Sequence, residues 1–377
     1  IIMNNNYLTD EQYLLILLSR VSLTERDIRL VEKTLHGNTN FFELAKLAIY
    51  HKTFTLVFKN LIEDCKISIV PQYLYDLYIT FKNSLIKIEN NYQIEKQLIM
   101  SEFSNNGVDL IPVKGAMFID DIYKINGTRY LSDLDFFIKK SDISIAESVM
   151  KSLGYSYGKV DKTNNCLRNA TRKELLIWRL NMGNLFPFIR ENKSEPEFFN
   201  VDIRFSISEN LNDSFIEDIF KMKYSNKTIF YYMLLIHLCV HFYIETKQTV
   251  NIYSNTDFNI IKLCDIREFI ANFINDFSLD YLLKLANKYC SKNEVLYAIY
   301  YVYIIYQDEK FSKIKEYWTK ENEDDLSSYG DTIEEQTETF TKNLYQRLFS
   351  CNNRDELSRI PNIYTVSEKM NINYKGN

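Results

Sequence analysis

The chain has 377 residues, a formal net charge of −5 and 46% hydrophobic residues. That apolar fraction excludes a disordered chain, and the length predicts two or three domains. An acidic chain without a block of Lys and Arg makes a nucleic-acid partner improbable, although a small RNA stays open. The six scattered cysteines form no C-x-x-C pair, which excludes a zinc ribbon and predicts reduced thiols.

The first segment, residues 1–105, has the pattern of consecutive helices. Thr9 and Gln12 match a capping box, Thr24 is placed to begin a second helix, and Gly37 is placed to end it. Gly and Pro are scarce, which favours long helices with few turns. The chain does not open with the basic and apolar segments of a secretory signal, so we expect a cytoplasmic protein.

Strand patterns begin after residue 105. The candidate strands lie in VDLIPVKG (108–115), LSDLDFFIKK (131–140) and FFNVDIRFSI (198–207), with helical segments between them. We therefore predict an α/β core at 106–222, a second helical region at 223–350 and a tail at 351–377. The apolar stretch 229–244 is shorter than the roughly 20 residues of a membrane span, which predicts a buried helix and no membrane partner. The expected fold class is α+β, with a small mixed sheet flanked by N- and C-terminal helical regions.

Carboxylates in two of these strands suggest a metal site. Asp133 and Asp135 are two residues apart, so on a strand both side chains point to one face. Asp202 lies on the charged face of the 198–207 strand, opposite Val201 and Ile203. Mg²⁺ prefers such oxygen ligands, and three carboxylates can hold two ions during phosphoryl chemistry. The alternative is an acidic turn or a salt-bridged strand end, because D-x-D is a common pattern.

A Lys-Gly pair precedes the D-x-D segment, at the end of the first candidate strand. Gly115 would let a phosphate approach the backbone at the start of a helix, and Lys114 could neutralise an oxyanion. A tight turn with a surface lysine is the alternative.

The order and spacing of these motifs resemble the nucleotidyltransferase superfamily of the DNA polymerase β type, and more closely its bacterial family of uncharacterised nucleotidyltransferases. The resemblance covers about residues 40 to 270. The residues that carry it are Lys114 and Gly115, Arg129, Asp133 and Asp135, Leu153 to Tyr155, Val201 to Ile203, Ala48 and His51, His237 and His241, and Asp265.

The resemblance implies a small nucleotidyltransferase core that transfers a nucleoside monophosphate, most favourably AMP from ATP, and releases pyrophosphate. In such an enzyme Asp133 and Asp135 would hold two Mg²⁺ ions. Asp202 would complete the metal site and help deprotonate the acceptor, and Lys114 with Gly115 would approach the triphosphate.

Three further positions are less determined by the resemblance. Arg129 would pair either with a phosphate or with Asp133. Ala116 stands where relatives commonly have Ser or Gly, so a phosphate-binding hydroxyl is absent there. Arg204 stands where relatives often have His, and it is a further candidate for contact with the nucleotide or the acceptor.

His237 and His241 are spaced four residues apart, as metal ligands on a helix can be. Their helix is apolar nearly all round, which favours a core or pocket-lining role, with Asp265 able to orient one ring. Three functions stay open: nucleotide transfer to a small molecule, peptide or protein, the same transfer to RNA, and non-catalytic nucleotide binding. The acceptor and the oligomeric state are not determined by the sequence.

Overall fold

The computed structural model describes residues 8–35, 39–124, 126–161, 164–207, 214–330 and 337–358. The helices are α1 (Asp10–Leu18), α2 (Glu25–Thr34), α3 (Phe41–Tyr50), α4 (Phe54–Lys59), α5 (Gln72–Asn105), α6 (Gly115–Asp121), α7 (Ile143–Ser152), α8 (Arg172–Asn181), α9 (Ser214–Ser225), α10 (Lys227–Lys247), α11 (Thr249–Tyr253), α12 (Ile260–Phe273), α13 (Leu279–Lys288), α14 (Lys292–Tyr306), α15 (Ile314–Tyr317), α16 (Lys320–Leu326) and α17 (Leu344–Phe349). The strands are β1 (Ile111–Val113), β2 (Leu134–Phe137), β3 (Ser156–Asp161), β4 (Cys166–Asn169), β5 (Phe188–Glu191), β6 (Phe198–Arg204), β7 (Ser328–Tyr329) and β8 (Glu338–Thr339). The predicted α+β class is confirmed.

The chain forms two compact units. The first contains the described residues of 1–83, 126–130 and 231–361, and the second those of 84–125 and 131–230. The first unit is helical apart from the β7–β8 pair, and both predicted helical regions contribute to it. The domain limits predicted at 105, 222 and 350 stay predictions.

Local signals account for the first helices. Thr9 and Gln12 form the predicted capping box at α1, and Thr24 forms one with Asp27 at α2. Such caps satisfy backbone N–H groups that a helix N-terminus otherwise leaves unpaired. Both predictions are confirmed, whereas Gly37 lies outside the described residues.

Helix α10 contains the apolar stretch that was predicted to be buried. Among the described helices it is the one that is long and apolar enough to cross a membrane by length and composition, and 56% of its most apolar window is buried. Core helices of soluble proteins pass the same test. Met233, Leu235 and Ile236 have no exposed surface, which confirms a core helix.

The second unit is built on a six-stranded sheet with the order β1-β2-β6-β5-β3-β4. The β2–β6 pair is parallel and the other neighbouring pairs are antiparallel, so the sheet is mixed as predicted. Buried side chains of α5, α6 and α7 pack with those of the sheet, among them Phe103, Ile119, Phe136, Met150 and Val201. This core fixes the central strands, and therefore any side chains that β2 and β6 carry.

Helix α7 ends at Ser152, two residues before a glycine. Gly154 follows its last turn with φ +83°, a conformation that glycine adopts at no steric cost. The helix begins at Ile143, directly after a 3₁₀ turn that contains Ser141 and Asp142.

Candidate active site

Two of the predicted carboxylates lie side by side at the centre of the sheet. Asp135 on β2 and Asp202 on β6 are direct partners in the parallel ladder. Neighbouring strands are about 4.8 Å apart, and paired residues share a face of the sheet. The register therefore brings together two carboxylates that are 67 positions apart in the sequence.

Asp133 has a different position from the one predicted. The strand begins at Leu134, which pairs with Val201, so Asp133 precedes the ladder and does not share a strand with Asp135. Asp133 is partly exposed, and its Oδ1 accepts a hydrogen bond from Ser132 Oγ at 2.9 Å. The described β2–β6 ladder starts at Leu134, so Asp133 has no ladder partner that fixes its direction, in contrast to Asp135.

Lys114 contacts the buried Asp135. Strand β1 pairs with β2 so that Val113 lies opposite Asp135, and Lys114 follows directly. Its Nζ donates to Asp135 Oδ1 at 2.8 Å.

The backbone of Lys114 has φ 48° and ψ −129°. This conformation is sparsely populated by residues other than glycine and costs of order 1–3 kcal/mol. Gly115 is the first residue of α6, at the start of a helix as the sequence predicted, and the positive φ is at Lys114. Approach of a phosphate to the Gly115 backbone stays a prediction.

Burial and neighbouring charges shift the pKa of both members of this pair. Burial raises the pKa of the Asp135 carboxyl to about 7; Lys114 opposes the shift, and the carboxylates of Asp133 and Asp202 add to it. Burial acts to lower the pKa of Lys114, but the nearby carboxylates, above all Asp135, outweigh it and the pKa is raised. The ammonium of Lys114 is thus held in its charged form against Asp135.

Asp202 is held from both sides. Arg204 Nε donates to its Oδ2 at 3.0 Å, and Asn184 Nδ2 donates to its Oδ1 at 2.7 Å. The arginine lies two residues along the same strand, on the same face, as the alternation of 198–207 predicted. Each carboxylate oxygen therefore has a donor that belongs to the chain.

Asn184 is a site residue that the sequence did not reveal. It lies between α8 and β5, and residues 183–185 pair with 203–205 through Leu185 N–H to the Ile203 carbonyl and Phe205 N–H to the Gly183 carbonyl, at 2.8 and 3.0 Å. Trp178 Nε1 donates to the Asn184 carbonyl at 3.1 Å. Asn184 is 6% exposed, and its Oδ1 is buried without a hydrogen-bond partner in the described structure. Its stretch of sequence is polar and weakly patterned, so the signal for this position exists only in the fold.

The donor set is suited to a hard divalent cation, because carboxylate oxygens are its preferred ligands. Within the described residues, however, no group of three or more His, Cys, Asp or Glu side chains lies close enough to hold a metal ion. Lys114 and Arg204 contribute positive charge at the same two carboxylates. The site thus offers two adjacent carboxylates as ligands for Mg²⁺, each already paired with a cation of the chain, and Mg²⁺ binding stays a prediction.

The remaining predicted residues lie in the first unit. Arg129 donates to both carboxylate oxygens of Asp265, from Nε at 3.0 Å and from Nη2 at 2.7 Å, and these side chains are 12% and 7% exposed. The partner in this two-point ion pair is Asp265, whereas the sequence analysis predicted a phosphate or Asp133. Binding of a phosphate by Arg129 stays a prediction.

The two histidines of α10 have different surroundings. His237 is buried, with 1% of its surface exposed. His241 is partly exposed, and its Nε2 is 3.2 Å from Glu245 Oε2, which also contacts Lys262 Nζ at 2.7 Å. The rings of His237 and His241 are stacked at 6.2 Å between centroids. A pocket-lining role for them stays a prediction.

The comparisons with known proteins place the chain in a family. Neither the curated proteins nor the solved structures yielded a match. The model of one protein family, described as uncharacterised nucleotidyltransferase, matches residues 38–307. That match covers well over half of the chain and contains every site residue described above. The chain therefore belongs to this family of uncharacterised nucleotidyltransferases.

Proposed function

We propose that this nucleotidyltransferase moves a nucleoside monophosphate, with AMP from ATP favoured, to a hydroxyl or phosphate of a small molecule, peptide or protein. The observation that carries the proposal is the pair of ladder partners Asp135 and Asp202, with Lys114 on the first. Membership in the family supports nucleotidyl transfer in general. A cytoplasmic location without a membrane partner is part of the same proposal, and transfer to RNA stays the alternative.

Mg²⁺ is the metal that this donor set would hold. Asp135 and Asp202 would supply the central ligands, and Asp133 would join them from the segment before β2. Two bound ions would neutralise charge on the triphosphate and stabilise the attacking and leaving oxygens of an in-line displacement.

The chain's own residues have separate tasks in this reaction. Asp202 would accept the proton of the acceptor hydroxyl while the hydroxyl oxygen forms a bond to the α-phosphorus. The bond between the α-phosphorus and the oxygen that bridges it to the β-phosphate breaks, and pyrophosphate leaves. Lys114 and Arg204 would stabilise phosphate oxygens, as cationic donors do in phosphoryl transfer. Asn184 would hold the carboxylate of Asp202 in place.

The proposal is tested with the purified protein, Mg²⁺ and each of the four NTPs carrying α-³²P. Pyrophosphate release and transfer of the label are followed for the wild type, for Asp135→Asn and for Asp202→Asn. Asp142→Asn, at the start of α7, is the matched carboxylate control. We expect both site variants to lose activity by a factor of about 10² or more and the control to keep it. Full activity in both site variants, or no release of pyrophosphate from any NTP by the wild type, would refute the proposal.

A further inference from the structure

The two central carboxylates are already paired with cations of the chain. The Lys114 and Asp135 side chains are 14% and 4% exposed, and those of Arg204 and Asp202 are 21% and 17% exposed. A divalent ion that binds these oxygens must therefore compete with an ammonium and a guanidinium. In the described structure, both carboxylates are already in contact with a positively charged side chain of the protein.

Lys114 is the more constrained of the two cations. Arg204 reaches Asp202 from two residues along the same strand, with ordinary extended backbone. Lys114 reaches Asp135 from a backbone with φ 48°, at the junction of β1 and α6, where glycine would be unstrained. A lysine at such a position contributes its ammonium at a conformational cost, which points from an observed outlier to a function.

Two further points favour the assignment of the ammonium to the site as a whole. Charges on Asp202 and Asp133, besides that on Asp135, act on Lys114. Its side chain has four methylenes and a rotatable point charge, so it can exchange one anionic partner for another without movement of the strands.

We propose that Lys114 is an exchangeable counter-ion: it occupies Asp135 in the nucleotide-free protein and moves to the triphosphate when a divalent ion takes its place. The inference rests on the proposed function, because the triphosphate and the ion are the ligands that function requires. Ion and nucleotide then bind with positive coupling. The ion alone must displace an ammonium, and the nucleotide alone must draw that ammonium from Asp135.

Thermodynamic linkage makes the coupling measurable from either ligand. Mn²⁺ is the probe, and its binding is followed by electron paramagnetic resonance with and without α,β-methylene-ATP, which cannot release its pyrophosphate. The wild type is compared with Lys114→Met, Lys114→Arg and Lys223→Met. Lys223 is a matched control because it is a lysine of the same unit that pairs with a different carboxylate, Asp109, at 2.5 Å.

We expect the nucleotide analogue to tighten Mn²⁺ binding to the wild type by about tenfold or more, within the usual range of coupling between two ligands. In Lys114→Met, Mn²⁺ alone should bind about tenfold more tightly than to the wild type. The analogue should tighten Mn²⁺ binding less than it does in the wild type, because only the direct contact between ion and phosphate then couples the two ligands. Lys114→Arg should keep part of the coupling, and Lys223→Met should behave as the wild type. Circular dichroism establishes that each variant is folded, and Lys114→Gln replaces Lys114→Met if the latter is not.

Mn²⁺ affinity that is unchanged or weaker in the neutral Lys114 variant, with coupling as in the wild type, would overturn the inference and leave the proposed function standing. A wild type that binds neither Mn²⁺ nor the analogue would overturn both. The two failures are therefore distinguishable in one titration series.

Discussion

Removal of the Arg129 side chain tests whether its ion pair with Asp265 stabilises the first unit. Both side chains are largely buried, and two hydrogen bonds of 3.0 and 2.7 Å join them in the bidentate geometry that guanidinium and carboxylate prefer. In Arg129→Met the Asp265 carboxylate loses that partner in a buried position.

The expected cost follows from that burial. Breaking a buried ion pair by removing one partner destabilises a protein by about 3–5 kcal/mol, whereas an exposed pair contributes about 0–1 kcal/mol. The pair of Arg29 with Glu25, in the same unit, has side chains that are 68% and 91% exposed and atoms 3.5 Å apart. Arg29→Met should therefore change the free energy of unfolding by less than about 1 kcal/mol.

Urea unfolding is followed by the fluorescence of Trp318, which stacks on Tyr300 in the first unit, in a Trp178→Phe background. The double variant Arg129→Met with Asp265→Leu should recover much of the lost stability, because the buried carboxylate is then removed together with its guanidinium partner. A loss below about 1 kcal/mol in Arg129→Met would refute the reasoning. The prediction that Arg129 binds a phosphate is tested separately, by the affinity of the folded Arg129→Met variant for the nucleotide. Loss of a charged hydrogen bond should weaken that affinity by about tenfold or more.

Three further predictions concern other parts of the chain. Burial lowers the pKa of His51 from 6.5 to about 3. Between these pH values the unfolded state binds more protons than the folded state does. The free energy of unfolding should therefore fall by up to about 5 kcal/mol as the pH drops from 6.5 toward 3. In His51→Gln that part of the pH dependence should vanish from urea unfolding curves, and persistence of the full slope would contradict the assignment. Asn184→Leu removes the amide that donates to Asp202, together with a buried oxygen that has no partner in the described structure. Pyrophosphate release should slow by about tenfold or more, while the free energy of unfolding changes by less than about 1 kcal/mol. An unchanged rate of release would argue against a positioning role for Asn184. Gly154→Ala should destabilise the second unit by about 1–2 kcal/mol, because alanine is strained at a positive φ. The added Cβ would lie 3.6 Å from Arg190 Cδ, an ordinary contact, so backbone strain alone sets this cost. Unfolding followed by Trp178 fluorescence measures it, and Gly154→Asn should destabilise the unit less.

Much of the fold was predictable because its signals are local. The capping boxes at Thr9 and Thr24 and the terminal glycine at Gly154 each act within a few residues. The alternation along β6 likewise showed that Val201 and Ile203 face the core while Asp202 and Arg204 face away. The limits of β2 were less accessible, since the ladder partner of each residue decides where a strand begins.

The candidate site divides in the same way. The sequence alone predicted which carboxylates and which lysine lie at the candidate site, since residue type and order are sufficient for that expectation. Only the tertiary structure decided that Asp135 lies beside Asp202, that Asn184 holds Asp202, and that the Lys114 backbone, not that of Gly115, takes the positive φ. It also paired Arg129 with Asp265, 136 residues away. Such contacts depend on strand register and on packing between distant segments, and no short-range pattern encodes either of them.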